Sequence, residues 1–261
     1  DDLLARNPRL VYGRMTGWGQ HGPRAQQAGH DLNYISRTGL LHAVGRADEV
    51  PVPPLNLFGD FGGGSMYLVV GVLAALLERG TSGKGQVIDA AMVDGALSLS
   101  TMVWAFRAMG VWNDERSSNY VDSGAHFYEV YRTADDKFLA VGAIEPQFYA
   151  ILIDGLGFTA EELPNQHDQS TWPEMKQRFA ERIATRTRAE WEEVFDGTDA
   201  CVTGVLTFAE AAEDEHIAAR GSLVEVDGIL QPLPAPRFSR TEATMPTPPA
   251  TTATDPATIW V

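Results

Sequence analysis

The stretch GHD at residues 29–31 sets His30 and Asp31 side by side after a glycine, where an apolar-periodic run begins at Leu32. At a helix N-terminus, unpaired backbone N–H groups and the positive dipole end favour negative charge. Such a place suits a developing oxyanion, and it lowers the pKa of a nearby histidine so that His30 can act as a neutral base. A plainer reading is also open, with Asp31 an N-cap and His30 a polar flank. The second chemical candidate is GDFGGGS at 59–65, where Asp60 precedes Gly62, Gly63 and Gly64. Glycine permits close approach of backbone to a ligand, and three in a row cost helix stability. Asp60 is then either a reacting carboxylate or the N-cap of the helix that follows. The spacing fits no phosphate-loop pattern. The third candidate is GAIEPQFY at 142–149, with Glu145 between an apolar strand and Pro146. A carboxylate there can orient an imidazole, or it can be an acid in the first turn of a helix.

Other chemistries find less support. The six histidines stand at 21, 30, 42, 126, 167 and 216, without HxxxH spacing, and no CxxC occurs, so no metal site is expected. No GxSxG elbow is present to carry a nucleophilic serine. Cys201, in the strand-like run ACVTGVL, is expected to be a buried, inert thiol.

These candidates need elements to hold them. Residues 1 to about 95 read as α/β. Leu3–Ala5 look like a helix end, Asn7-Pro8 a stop, and 9–15 a buried strand. A helix end feeding a strand belongs inside a βαβ unit, which predicts a segment preceding Asp1. A helix follows from Leu32, then a proline-rich extended linker. Residues 63–77 predict a buried helix, Val87–Ala91 a strand, and a further helix runs to about Met109. From 127 to 225 the pattern is a smaller α+β unit, with a hairpin formed by 128–131 and 138–143. Capping-box pairs stand at Thr159/Glu162, Thr171/Glu174, Thr187/Glu190 and Thr207/Glu210. Met175, Phe179 and Ile183 form a core stripe. From Pro232 onward the Pro/Thr/Ala-rich tail predicts no regular core element.

The bulk properties fit a globular protein able to bury a core: 261 residues, 44% hydrophobic and 21% charged. A net charge of -15 argues against nucleic acid or an anionic membrane as the main partner. The apolar run Met66–Leu77 is expected to be too short to span a bilayer. A single cysteine and no visible leader fit a cytoplasmic protein.

Taken in order, NPRLVYGRMTGWGQHGP, QQAGHDLNYI, PPLNLFGDFGGGSM, GKGQVIDAAMVDG, GAIEPQFYA and PAPRFSRT resemble the α-methylacyl-CoA racemases of the family III CoA-transferase superfamily. Family III transferases share the aspartate but generally lack the histidine of GHD. The resemblance implies an α/β fold with a partial Rossmann-like large domain at 1–95 and a linker helix and loop at 96–128. It also implies a small α+β domain at 129–225, a C-terminal return segment at 226–261, and an interlocked homodimer. It implies racemisation of the α-carbon of 2-methylacyl-CoA thioesters, with coenzyme A carried by the substrate and no separate cofactor. Under it, His30 and Asp60 are the catalytic pair and Glu145 supports the histidine from the partner subunit. The backbone N–H of Asp31 meets the thioester oxygen, and Gly62, Gly63 and Gly64 let the thioester lie against backbone. His126 departs from the pattern, standing where the racemases have proline, and is read as a substitution and not as a base. CoA transfer with Asp60 as nucleophile, or an inactive homologue, remain as alternatives.

Overall fold

The structure, a computed structural model, describes residues 2–159, 163–247 and 253. Two compact units form, Asp1–Gly204 and Val205–Val261. The first opens with α1 (Asp2–Arg6), β1 (Tyr12–Thr16), α2 (Asp31–Ile35) and α3 (Leu40–Ala43). A π-helix (Leu57–Met66) then runs directly into α4 (Tyr67–Ser82), followed by β2 (Val87–Ala91), α5 (Met92–Leu99) and α6 (Thr101–Ala108). Strands β1 and β2 pair in parallel, Tyr12 opposite Val87 and Thr16 opposite Ala91. Parallel neighbours need a long crossover, and here it contains both candidate motifs, GHD and GDFGGG.

Helix α4 packs closely on both strands. A Cβ at Gly13 of β1 would lie 2.6 Å from Leu68 Cδ1, and one at Gly71 would lie 2.9 Å from Ile88 of β2. Its other faces are not covered as the sequence suggested. Of α4 only Ala75 is buried, while Val69, Val70, Leu73 and Leu77 are exposed. The β1 strand, expected to be buried, is also largely exposed. A two-stranded sheet is simply too narrow to cover a helix all round. The π-helix and α4 together form a continuous run, Leu57–Ser82, whose 26 residues are long and apolar enough to cross a membrane by length and composition. That continuity corrects the expectation drawn from Met66–Leu77 alone. In this fold the run serves as the α-layer against β1 and β2.

The remainder of the first unit is antiparallel. Strands β3 (Tyr128–Arg132) and β4 (Phe138–Gly142) make the expected hairpin, Tyr128 opposite Gly142, and β5 (Val202–Gly204) adds to the far side of β4. Against it lie α7 (Pro146–Gly155), α8 (Trp172–Ile183) and α9 (Arg188–Phe195). The stripe Met175, Phe179 and Ile183 is fully buried with Phe127, Leu139, Leu152 and Trp191. Thr187 and Glu190 form the expected capping box at α9. Thr171 precedes α8 without a side-chain cap bond, because a short 3-10 turn (Gln169–Thr171) already leads in. The Thr159/Glu162 pair lies outside the described residues. In the second unit, α10 (Phe208–Glu213), capped by Thr207 and Glu210, leads to α11 (Glu215–Arg220) and the hairpin of β6 (Leu223–Val226) with β7 (Ile229–Pro232). Residues 233–247 contain no helix or strand, as their composition predicts.

Two buried titratable groups lie in this antiparallel part. The Glu129 carboxylate on β3 receives Arg46 Nη1 at 2.5 Å and Lys176 Nζ at 2.9 Å. Burial opposes its charge, but those two cations and the Val130 N–H outweigh burial and hold the carboxyl below its ordinary value. His126 is fully buried, with Nε2 2.9 Å from the Tyr149 hydroxyl, and burial together with nearby His167 lowers its pKa to about 4. In both cases the folded pKa lies below the unfolded one. Each group therefore stabilises the fold above its unfolded pKa, a contribution lost as pH falls through the folded value. Unfolding free energy is expected to fall in two overlapping stages: His126 between pH 6.5 and about 4, then Glu129 below the ordinary glutamate value of 4.5. Denaturant titrations across this range check it. His126→Leu should remove the upper stage, and an unaltered pH profile in that variant would contradict the assignment.

Candidate active site

The chain leaves Gly29 in extended form and His30 becomes the N-cap residue of α2, with φ -130 and ψ 176. The backbone N–H of His30 donates to Asn33 Oδ1 at 3.0 Å. His30 itself is exposed. Asp31, the alternative N-cap, is the first helical residue instead, and its side chain turns inward to 4% exposure. Its Oδ2 accepts the backbone N–H of Gly59 at 2.6 Å and of Asp60 at 2.9 Å. Two stretches far apart in sequence thus meet with His30 one residue to one side of the contact and Asp60 within it. Helix α2 has only five residues, so its dipole is weaker than that of a longer helix, since partial charges sum over aligned peptide units. The backbone N–H of Asp31 nonetheless has no acceptor among the described residues.

Asp60 is half-buried on the first turn of the π-helix, and Asn56 Nδ2 donates to its Oδ2 at 3.2 Å. Ser65 Oγ donates to the Asp60 carbonyl at 2.9 Å, spanning the wide π turn. Tyr34, one turn beyond His30, donates its hydroxyl to the Gly29 carbonyl and meets Trp18 edge-on at 4.9 Å. Burial, and then the charge of Asp60, push the Tyr34 phenol up. Neither Asn56 nor Tyr34 was singled out in the sequence. The one available signal was spacing, since Asn56 stands four residues before Asp60 and side chains so spaced share a helix face.

The three glycines after Asp60 have packing reasons. A Cβ at Gly63 would sit 2.7 Å from Ala96 N and from the Phe58 carbonyl oxygen. At Gly64 it would lie 3.0 Å from Met92 Cγ, and at Gly62 2.9 Å from the Leu57 carbonyl oxygen. Opposite them, a Cβ at Gly95 would fall on the Gly63 carbonyl. The π-helix therefore crosses α5 backbone to backbone, and side-chain-free positions are required whether or not a ligand is present. π-helical turns are rare and concentrate at functional sites.

Glu145 is placed elsewhere. It is the N-cap residue of α7, exposed, and joined to His30 by no hydrogen bond or ion pair in this single chain. Cys201, whose carbonyl accepts the Gly142 N–H at 2.9 Å, is exposed and not buried as expected, with a left-handed backbone (φ 53) just before β5. Partial burial and the carboxylates of Glu145 and Asp199 push this thiol up, so it is a weak nucleophile. His126, buried and neutral in the core, has no access to substrate. Among the described residues no group of His, Cys, Asp and Glu is arranged to hold a metal ion.

A cavity of about 390 Å³ lies past the C-terminal end of α2, lined by Arg37, His42, Trp104, Arg107 and Arg116 among others. It contains none of His30, Asp31, Asp60 or Glu145. Arg107 is engaged by Asp114, and Arg116 by the carbonyls of His42, Arg46 and Glu49. Those commitments make it a structural junction, and the hydrogen-bonded meeting of GHD with GDFGGG is the better candidate for chemistry.

Comparison with known proteins gives the family of the chain. The chain is 51% identical over 245 residues to alpha-methylacyl-CoA racemase of Mus musculus, covering 93% of this chain and 64% of the mouse protein. It is 49% identical over 242 residues to alpha-methylacyl-CoA racemase of Homo sapiens, covering 92% of this chain and 63% of the human protein. The chain therefore spans less than two thirds of the length of these relatives. Its fold matches the crystal structure of a CAIB/BAIF family protein from Brucella suis, with a TM-score of 0.74 at 23% identity, over 93% of this chain and 65% of that one. The sequence pattern of CoA-transferase family III matches residues 1–257, and the chain belongs to that family.

Proposed function

We propose that this chain carries the proton-transfer site of an α-methylacyl-CoA racemase, which interconverts the two configurations at the α-carbon of 2-methylacyl-CoA thioesters. The observation that carries the reading is the pair of hydrogen bonds from Gly59 and Asp60 N–H to the Asp31 carboxylate, which bring the histidine segment and the aspartate segment together. The reaction removes a proton from one face of a carbon and returns one to the other. It needs two groups in opposite protonation states and a stabiliser for the enolate oxygen between the steps. An imidazole and a carboxyl group held in different surroundings, one exposed and one half-buried, satisfy the first need. His30 takes the proton from one enantiomer and Asp60 from the other. The unpaired N–H of Asp31 is available to the thioester oxygen, and Gly62, Gly63 and Gly64 keep side chains away from the adjoining backbone. Glu145 supports His30 from the other subunit of an interlocked homodimer, which agrees with its exposed position away from His30 in one chain.

One proton leaves and one arrives, with no change of oxidation state, so the chemistry calls for no redox cofactor, and coenzyme A comes with the substrate. We read the enzyme as cytoplasmic, and its acidic net charge argues against nucleic acid or an anionic membrane as the main partner. Incubating the protein with one enantiomer of a 2-methylacyl-CoA in D2O tests the reading. Deuterium at Cα together with the opposite configuration supports it. A hydroxylamine-trapped acyl adduct on Asp60 without deuterium at Cα would replace it with CoA transfer.

A further inference from the structure

We propose that the Asp31 side chain, as distinct from its backbone, is the positioning group that sets the separation between His30 and Asp60. The proposal rests on the proton-transfer reading above. A single carboxylate oxygen, Oδ2, takes both the Gly59 and Asp60 N–H groups, while Oδ1 is buried without a partner among the described residues. Asp31 is covalently next to His30, and the second N–H it holds is that of Asp60 itself. The shortest mechanical path between the two reacting groups therefore runs through this carboxylate. The contact is built for close approach. A Cβ at Gly59 would lie 2.6 Å from Asp31 Oδ2 and 3.2 Å from Asp31 Cα, so glycine is required for the segments to meet. Both N–H groups lie in the first turn of the π-helix, where intrahelical acceptors are lacking, and a charged acceptor makes the stronger bond to them. Two groups that must flank one carbon atom tolerate little error, and a misplacement of about 1 Å costs about 10²-fold in rate.

The test compares Asp31→Ala and Asp31→Asn with the parent chain by α-proton exchange kinetics, and follows the Gly59 and Asp60 amides by hydrogen exchange. Asp31→Ala should lower kcat for exchange by about 10²-fold with KM within about threefold, and should speed exchange of the two amides by at least about tenfold. Asp31→Asn keeps an accepting oxygen and should restore most of kcat and of the amide protection. Unchanged amide protection in Asp31→Ala overturns the clamp outright. A loss carried by KM alone, or an Asp31→Asn variant as slow as Asp31→Ala, overturns the positioning role. If the parent chain exchanges no α-proton, the functional reading fails on its own account. The amide measurement then still decides the clamp.

Discussion

Replacing either His30 or Asp60 with alanine should slow interconversion of the two acyl-CoA enantiomers by at least about 10²-fold, equivalent to about 2.7 kcal/mol of barrier. The size follows from the role. A weakly acidic α-proton must be removed by a base at one face and replaced by an acid at the other, and neither half-reaction can use water with comparable efficiency. Asp60→Ala leaves the histidine face intact, so one enantiomer should still take up deuterium at Cα without changing configuration. His30→Ala should show the same residual uptake for the opposite enantiomer. This mirror pattern separates a two-base site from a general loss of fold, which would lower uptake for both. NMR of the recovered thioesters measures it, and variants retaining full interconversion would remove either residue from the chemistry.

Phe179→Ala should cost about 3–5 kcal/mol of stability. Phe179 is fully buried on α8, and its ring meets His126 at 5.0 Å, Phe158 at 5.6 Å and Tyr131 at 6.2 Å between centroids. Truncation leaves a cavity bounded by rings that are themselves fixed by hydrogen bonds, Tyr131 to the His126 carbonyl and His126 to Tyr149. Those neighbours cannot easily collapse into the space. A loss of this size is comparable with the whole stability of a marginal domain, about 5–15 kcal/mol. Urea unfolding of parent and variant measures it. A shift below about 1 kcal/mol would mean that the ring is not packed as described.

Some of this was readable in the sequence because the cause was local. The strand at Val87–Ala91, the β3–β4 hairpin and the Thr187 and Thr207 caps each follow from alternation, turn residues or one side chain reaching three residues along. GHD was conspicuous as two reactive residue types at the start of an apolar-periodic run, and GDFGGG because three successive glycines cost helix stability. Their meeting was not readable. The two hydrogen bonds that Gly59 and Asp60 N–H donate to the Asp31 carboxylate join positions whose intervening chain carries no trace of them, and the same holds for the Arg46–Glu129–Lys176 group. The π-helix was missed because residue preferences do not distinguish a π turn from an α turn. The glycines invite a ligand on sequence grounds, whereas their close approach to α5 depends on a tertiary crossing that no local pattern carries. The exposed flank of α4 was read as buried because hydrophobicity reports what a surface would prefer to touch, and not what touches it.

The lone thiol has a practical consequence. Cys201 is exposed, single in the sequence, and close enough to Glu145 to feel its charge. A small fluorine tag attached there would leave the rest of the chain unlabelled and report on the surroundings of β5. Because the thiol is reluctant to ionise, the coupling should be run on the alkaline side of neutrality.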